Sequence, residues 1–247
     1  VTFDVAEAAT LMEGKPAELI LQDVVRRFPG KVTFGTGFGA EGCVLIDLIA
    51  RQGLGVDLFT LDTGLLFPET YDLWHRLELK YGVSIRAVRP ARTVEEQAAD
   101  EGPRLWERDP DRCCQLRKIE PQRADIAKFD AWITALRRDQ TSERASARIY
   151  EHDAKFGVVK ANPLVSWTHK DVWNHILKHG VPYNPLHDRG YPSIGCEPCT
   201  SAVEAGEDLR AGRWRGLGKK ECGLHLPASG PAASVTPLGT PRVLSQT

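Results

Sequence analysis

Lys31-Val32-Thr33-Phe34-Gly35-Thr36-Gly37-Phe38-Gly39-Ala40-Glu41 is the stretch that decides the fold. A β-branched and aromatic run, Lys31 to Phe34, enters a glycine-rich turn, and a helix is expected from Ala40 to Arg51. The same alternation repeats downstream. Val56 to Leu61 reads as a buried parallel strand that ends in Asp62-Thr63-Gly64. Pro68-Glu69 opens a helix carrying Tyr71, Trp74, Leu77 and Tyr81 at apolar spacing. A strand at Ser84 to Val88, a helix at Thr93 to Glu101, a helical stretch at Arg117 to Lys128 interrupted at Pro121 and a strand at Ala131 to Leu136 complete the series. Strands alternating with helices predict an α/β fold, a doubly wound and mostly parallel sheet.

On the N-terminal side, the first 30 residues read as helical, with Leu19, Ile20, Val24 and Val25 on one face. On the C-terminal side, Ile149 to Val159 suggests a short hairpin. Ser166 or Thr168 caps a helix containing Val172, Trp173, Ile176 and Leu177. From Pro182 onward Gly, Pro and basic residues predict an irregular segment draped over the domain. Residues 227–247, rich in Pro, Ala, Ser and Thr, read as a disordered tail on a single domain spanning 1–226.

The 247 residues carry 32 Lys+Arg against 33 Asp+Glu, a formal net charge of -1. That balance supplies no whole-protein field for nucleic acid or an anionic membrane, so an anionic ligand must be held by local basic clusters. No apolar stretch approaches the roughly 20 residues of a spanning helix. The first residues have neither a basic leader nor an apolar run. A cytoplasmic protein without nucleic-acid or membrane partners is expected. The six cysteines, Cys43, Cys113, Cys114, Cys196, Cys199 and Cys222, then point to metal ligation or thiol chemistry rather than disulfides.

In a doubly wound sheet, ligands sit at the carboxyl ends of the strands, where glycines let backbone N–H groups approach a phosphate. Thr36, Gly37, Phe38 and Gly39 suit that role, with Asp62, Thr63 and Gly64 beside them; tight turns and caps account for such residues equally well. The cysteines are more specific. Cys113-Cys114 and Cys196-Glu197-Pro198-Cys199 could hold one zinc ion or one iron–sulfur cluster. Adjacent helical residues diverge by about 100° and chelate a single ion poorly, which favours a [4Fe–4S] cluster. Cys222, in Lys219-Lys220-Glu221-Cys222-Gly223-Leu224-His225, has lysines that favour a thiolate and a glycine that lets the segment move. Cys43 lies in an apolar helix start and reads as an inert core residue. Lys118, four residues after Cys114, could set a cation beside an anionic cluster. Arg137-Arg138 at the end of a strand, with Arg144, Arg210 and Arg213, are candidates for an anion, and His225 alone among the seven histidines is near this chemistry.

Six motifs now stand in order: Gly37-Phe38-Gly39-Ala40-Glu41; Leu61-Asp62-Thr63-Gly64 with Pro68-Glu69-Thr70-Tyr71; Cys113-Cys114 with Arg117-Lys118; Arg137-Arg138-Asp139-Gln140; Gly195-Cys196-Glu197-Pro198-Cys199-Thr200; and Lys220-Glu221-Cys222-Gly223-Leu224-His225. Over roughly residues 30 to 226 they resemble the assimilatory adenylylsulfate (APS) reductases, sulfonucleotide reductases related to the PP-loop ATP pyrophosphatases. The resemblance implies a nucleotide over Gly37–Gly39 with Leu61 to Gly64 beside the adenosine, and Arg144 at a further nucleotide-binding position. It implies a [4Fe–4S] cluster on Cys113, Cys114, Cys196 and Cys199, with Lys118 bridging it to the substrate and Arg210 and Arg213 on the phosphosulfate. Cys222, on a catalytic segment at about 205–226, would attack the sulfate sulfur and release AMP. Thioredoxin, or a glutaredoxin, would then free sulfite. A homo-oligomer is left open.

Members of that family usually read Ser-Phe-Gly-Ala-Glu-Asp at the turn, where this chain has Gly37 for the Ser and Gly42 for the Asp. The rivals are a reductase preferring the 3′-phosphorylated substrate (PAPS), a PP-loop thiolation enzyme and a non-catalytic zinc module. The four cluster cysteines count against the first, and the missing Ser-Gly-Gly-x-Asp-Ser loop against the second.

Overall fold

A computed structural model describes residues 3–219 and 221–224. The helices α1 (Val5–Met12) and α2 (Ala17–Arg27) precede strand β1 (Val32–Thr36), helix α3 (Ala40–Arg51), β2 (Asp57–Leu61), α4 (Pro68–Tyr81) and β3 (Ile85–Val88). Then follow α5 (Val94–Glu101), the short α6 (Leu105–Arg108) and α7 (Pro110–Cys114), a π-helical turn Gln115–Ile119, α8 (Glu120–Ile126), β4 (Ala131–Ile133), the hairpin β5 (Tyr150–Asp153) and β6 (Val158–Ala161), and α9 (His169–His179).

The six strands form one sheet in the order β3-β2-β1-β4-β6-β5, parallel throughout except for the β5–β6 pair. This is the expected mostly parallel α/β sheet. Alternation along the strands feeds two apolar layers. Phe34, Leu58 and Ile133 pack on one face with Val44, Leu45 and Leu73, while Phe59 and Trp132 pack on the other with Ile126 and Val158. Strand order reverses between β1 and β4, so the crevice outside their carboxyl ends is the place where such a sheet binds ligands.

Local chemistry explains where the elements depart from expectation. The N-terminal helical run is two helices because Gly14 adopts a positive φ and Pro16 follows it. Pro121 does not end the helical run, which continues from Pro110 to Ile126; it stands just after the π-helical turn Gln115–Ile119, at the start of α8. β1 runs on through Thr36, and β4 stops at Ile133. Thr168, not Ser166, caps α9, in a reciprocal box with Asp171. Past Pro182 the chain is mostly irregular, pinned by single bridges from Leu66 to Cys196 and from Thr200 to Arg213. Among the described residues, no helix is long and apolar enough to cross a membrane.

Candidate active site

Thr36 and Gly37 at the end of β1, Leu61 and Thr63 at the end of β2, and Arg144, Arg210 and Arg213 from the later chain enclose a cavity of about 210 Å³. Lys118 and Cys222 line the same cavity. An adjoining space of about 220 Å³ shares Gly37, Arg144, Arg210 and Arg213, and adds Gly39, Glu41 and Arg137. A larger groove of about 600 Å³, lined by Thr141 to Glu143 and by the later segment, shares Arg210, Arg213, Trp214 and Glu221. Segments as distant in sequence as Gly37 and Cys222 thus meet at the reversal point of the sheet.

The glycine turn is shaped by Thr36. Its hydroxyl accepts the Phe38 N–H at 3.0 Å, so that donor is already committed within the turn. Phe38 takes a positive φ and buries its ring against Trp74, at 5.8 Å between centroids. The side chain of Phe38 therefore belongs to the core. A Cβ at Gly42 would lie 2.7 Å from Thr36 Oγ1, so the Thr36 hydroxyl fills space that a side chain at position 42 would need. At Gly37 a Cβ would meet nothing within 4 Å.

Four cysteines gather on the other side of Lys118. Cys113 and Cys114 end α7, Cys196 and Cys199 come from the irregular segment, and all four line one small cavity together with Lys118 and Trp214. All four are free thiols. Among the described residues, no three His, Cys, Asp or Glu side chains are gathered as a single-ion site. The buried Trp214 Nε1–H has no hydrogen-bond partner among the described residues, a donor facing no protein acceptor beside the sulfurs. Thr63 Oγ1 lies 3.3 Å from Cys196 Sγ. Burial opposes ionisation of Cys196, but Lys118, the Thr63 hydroxyl and Arg213 outweigh it and hold this thiol below its ordinary range. Burial dominates at the neighbours, pushing Cys114 up to about 11 and Cys199 up to about 12. Lys118 itself loses solvation, yet the sulfurs of Cys196, Cys222 and Cys114 overcompensate and keep it protonated.

The π-helical turn matters here. It follows Cys114 directly and carries Arg117 and Lys118. Buried Arg117 anchors the turn by donating to Thr63 O at 2.6 Å and Gln97 Oε1 at 3.0 Å, which ties the cysteine helix to the end of β2. Arg213 is positioned differently. Its guanidinium lies 4.5 Å from the Trp214 ring centroid and is pressed against Gly195, where any Cβ would overlap it. Its Nε is buried without a partner among the described residues.

Other expected residues are placed elsewhere. Arg138 is not brought to the cavity: it pairs with Glu13 at 2.8 Å and donates to Ala147 O, because successive side chains after β4 diverge. Arg137 does line the adjoining space, held at 3% side-chain exposure between Glu41 and Asp139. The Asp62 carboxylate is taken by the Tyr71 hydroxyl at 2.7 Å, Arg89 at 3.0 Å and the Gly64 N–H at 3.2 Å, so it braces the turn. Gly64 supplies a positive φ beside Arg117. Cys43 is fully buried, as expected, and burial pushes its thiol up to about 12. His225 and the 227–247 tail lie outside the described residues. Sequence reasoning missed Trp214 and gave no role to Gly195 and Glu221, which it quoted only within motifs, because their roles depend on neighbours remote in the chain. The adjacency of Glu221 to Cys222 and of Gly195 to Cys196 was the available signal.

The sequence pattern of the phosphoadenosine phosphosulfate reductase domain matches residues 31–202. A Geobacillus kaustophilus protein named adenosine 5'-phosphosulfate reductase is 48% identical over 216 residues, 87% of this chain and 92% of its own. A Bacillus subtilis protein named adenosine 5'-phosphosulfate reductase 1 is 46% identical over 85% of this chain and 91% of its own. The crystal structure of a phosphoadenylyl-sulfate reductase from Candida auris, a phosphate complex, superposes with a TM-score of 0.72 at 31% identity, covering 82% of this chain and 99% of that one. At 13% identity and a TM-score of 0.53, a Candida glabrata FMN adenylyltransferase shares the fold alone, over 95% of this chain and 81% of its own. A parallel sheet with its cavity at the β1–β4 reversal, matched over most of its length by these relatives, places the chain in the phosphoadenosine phosphosulfate reductase family.

Proposed function

We propose that this chain is a cytoplasmic adenylylsulfate reductase of sulfate assimilation, converting adenylylsulfate to sulfite and AMP at the expense of thioredoxin or a glutaredoxin. The observation that carries the reading is one shared cavity: the glycine turn, Lys118, three arginines and the Cys222 thiol line it together. The names of the relatives at 46–48% identity support adenylylsulfate as the substrate.

The Cys222 thiolate attacks the sulfate sulfur, forming an S–S bond while the S–O bond to the phosphate breaks. AMP leaves with the electron pair, and the sulfonate remains on Cys222 as S-sulfocysteine. Arg144, Arg210 and Arg213 neutralise the negative charge that grows on the departing phosphate, and Arg213 Nε, which has no partner among the described residues, is a donor for it. Thr36 and Leu61 to Gly64 shape the nucleotide side. One thiolate of the external dithiol then attacks Cys222 Sγ, and sulfite departs with the S–S electron pair. The second thiol resolves the mixed disulfide, so the reductant leaves as a disulfide, two electrons poorer.

Cys113, Cys114, Cys196 and Cys199 line one cavity and suit a [4Fe–4S] cluster better than zinc, because the adjacent helical pair Cys113-Cys114 diverges by about 100° and fits separate iron corners better than a single ion. The cluster would supply fixed negative charge next to Lys118, whose ammonium lines both the cysteine cavity and the substrate cavity. Residues 1–226 act as one unit in this reading, with the nucleophile on the segment 205–226.

The test is an intact mass of anaerobically purified protein after incubation with adenylylsulfate and no reductant. A gain of one SO3 group on Cys222, lost on adding thioredoxin and absent in Cys222→Ser, is expected. No adduct on a protein with its cysteine site loaded refutes adenylylsulfate as the substrate, and parallel incubation with the 3′-phosphorylated nucleotide identifies the alternative.

A further inference from the structure

The residue beside the nucleophile makes a contact that the reaction itself does not call for. The Glu221 carboxylate reaches into the substrate cavity, and Arg144 Nη2 lies 2.9 Å from both of its oxygens. Arg210 Nη2 lies 3.2 Å from Oε2. The three side chains are only 6%, 11% and 19% exposed for Glu221, Arg144 and Arg210. Two nearly buried guanidiniums thus share one carboxylate contributed by the active-site segment rather than by the sheet. On either side the segment is tied again: Lys219 pairs with the exposed Asp111, and Lys155 donates to the Gly223 carbonyl.

We infer that Glu221 occupies the seat of the substrate's phosphosulfate in the free enzyme and is displaced when substrate binds. The inference rests on the function proposed above. Holding the guanidiniums of Arg144 and Arg210 largely out of water between turnovers is costly. A carboxylate supplied in cis offsets that cost and competes with the incoming ligand. Cys222 is the next residue, and Gly223 follows with a φ of 85°, so expelling the carboxylate swings the thiol with it. Occupation of the anion site is thereby coupled to movement of the nucleophile.

The opposite role is a permanent brace that orients Arg144 and Arg210 for the substrate. The two differ in sign, since removing a brace weakens anion binding and removing a competitor strengthens it. Titration calorimetry of the full chain with AMP, which carries the phosphate but no transferable sulfur, separates them. Glu221→Gln keeps the shape and removes the charge; its AMP dissociation constant should fall by about tenfold, the scale of a charged hydrogen-bonded contact. Equal or weaker AMP binding by a variant that melts with the wild type overturns the inference. Hydrogen exchange on the wild type decides the matter if the variant fails to fold. AMP should speed exchange in the peptide carrying Glu221 and Cys222, and unchanged or slower exchange overturns it. Failure of the wild type to bind AMP at all refutes the reading of the site itself, and the inference with it.

Discussion

Gly195→Ala tests how tightly Arg213 must be held. A methyl carbon at that position would stand 2.2 Å from Arg213 Nη2 and 2.5 Å from Cζ, whereas ordinary contact begins at 3.4 Å, so the guanidinium must retreat by about 1.2 Å. The Trp214 ring, its centroid 4.5 Å from Cζ, limits where it can go. A misplacement near 1 Å of a group that stabilises charge in the transition state costs on the order of 100-fold, or about 2.7 kcal/mol. The loss should appear in kcat/KM for adenylylsulfate, measured as sulfite release with saturating thioredoxin. Iron and sulfide content and the melting temperature are checked first, because Gly195 precedes Cys196. The cycle with Arg213→Ala makes the test specific: in that background the added methyl should cost nothing more. If Gly195→Ala costs as much without Arg213 as with it, or stays within threefold of wild type, the reasoning fails.

Three further outcomes follow from the same geometry. Gly37→Ser should fold with an unchanged melting temperature, since its Cβ meets nothing, and should lower KM for adenylylsulfate if the added hydroxyl reaches the nucleotide; a clear drop in melting temperature would contradict the open space seen there. Gly42→Asp should destabilise by about 1–2 kcal/mol in chemical denaturation, through overlap with the hydroxyl that caps the Phe38 N–H, and Thr36→Ala should relieve most of that loss. Asp47 is held below the usual carboxylate range: burial opposes this, but bonds from His175 at 2.8 Å and Tyr81 at 2.9 Å outweigh it. Because the folded value is depressed, this stabilisation is full above the unfolded value of about 3.9 and is lost as pH falls through the lower folded value. Asp47→Asn should therefore flatten the acid limb of the stability–pH curve, and an unaltered limb would rule the pair out as its source.

Sheet and helix order were legible because hydrophobic alternation and glycine punctuation are local signals. The run Lys31 to Gly39 announced a strand entering a turn, and the repeated pattern announced a parallel sheet. Boundaries were less legible where one residue has two uses. Pro121 reads as an interruption in sequence and in space follows the π-helical turn at the start of α8. The short α6 and α7 went unseen because four or five residues carry too little periodicity to register.

Chemical identity was carried by residue type. Thiols in a tandem pair and a C-x-x-C, a lone Cys222 among lysines, and arginines after a strand are statements about what can ligate, attack or hold an anion, and they survive without coordinates. What the tertiary structure decided was which of those groups share a space. It sent Arg138 to Glu13 and Arg213 to the cavity, though both are arginines beside promising motifs. It enclosed Asp62 in a brace of hydrogen bonds, and it set Lys118 between two cavities through one π-helical turn. It also closed Arg144 and Arg210 around Glu221. Such assignments depend on distances between residues as far apart as 144 and 221. Those distances arise from sheet order and crossover geometry rather than from any local pattern, so only the fold can specify them.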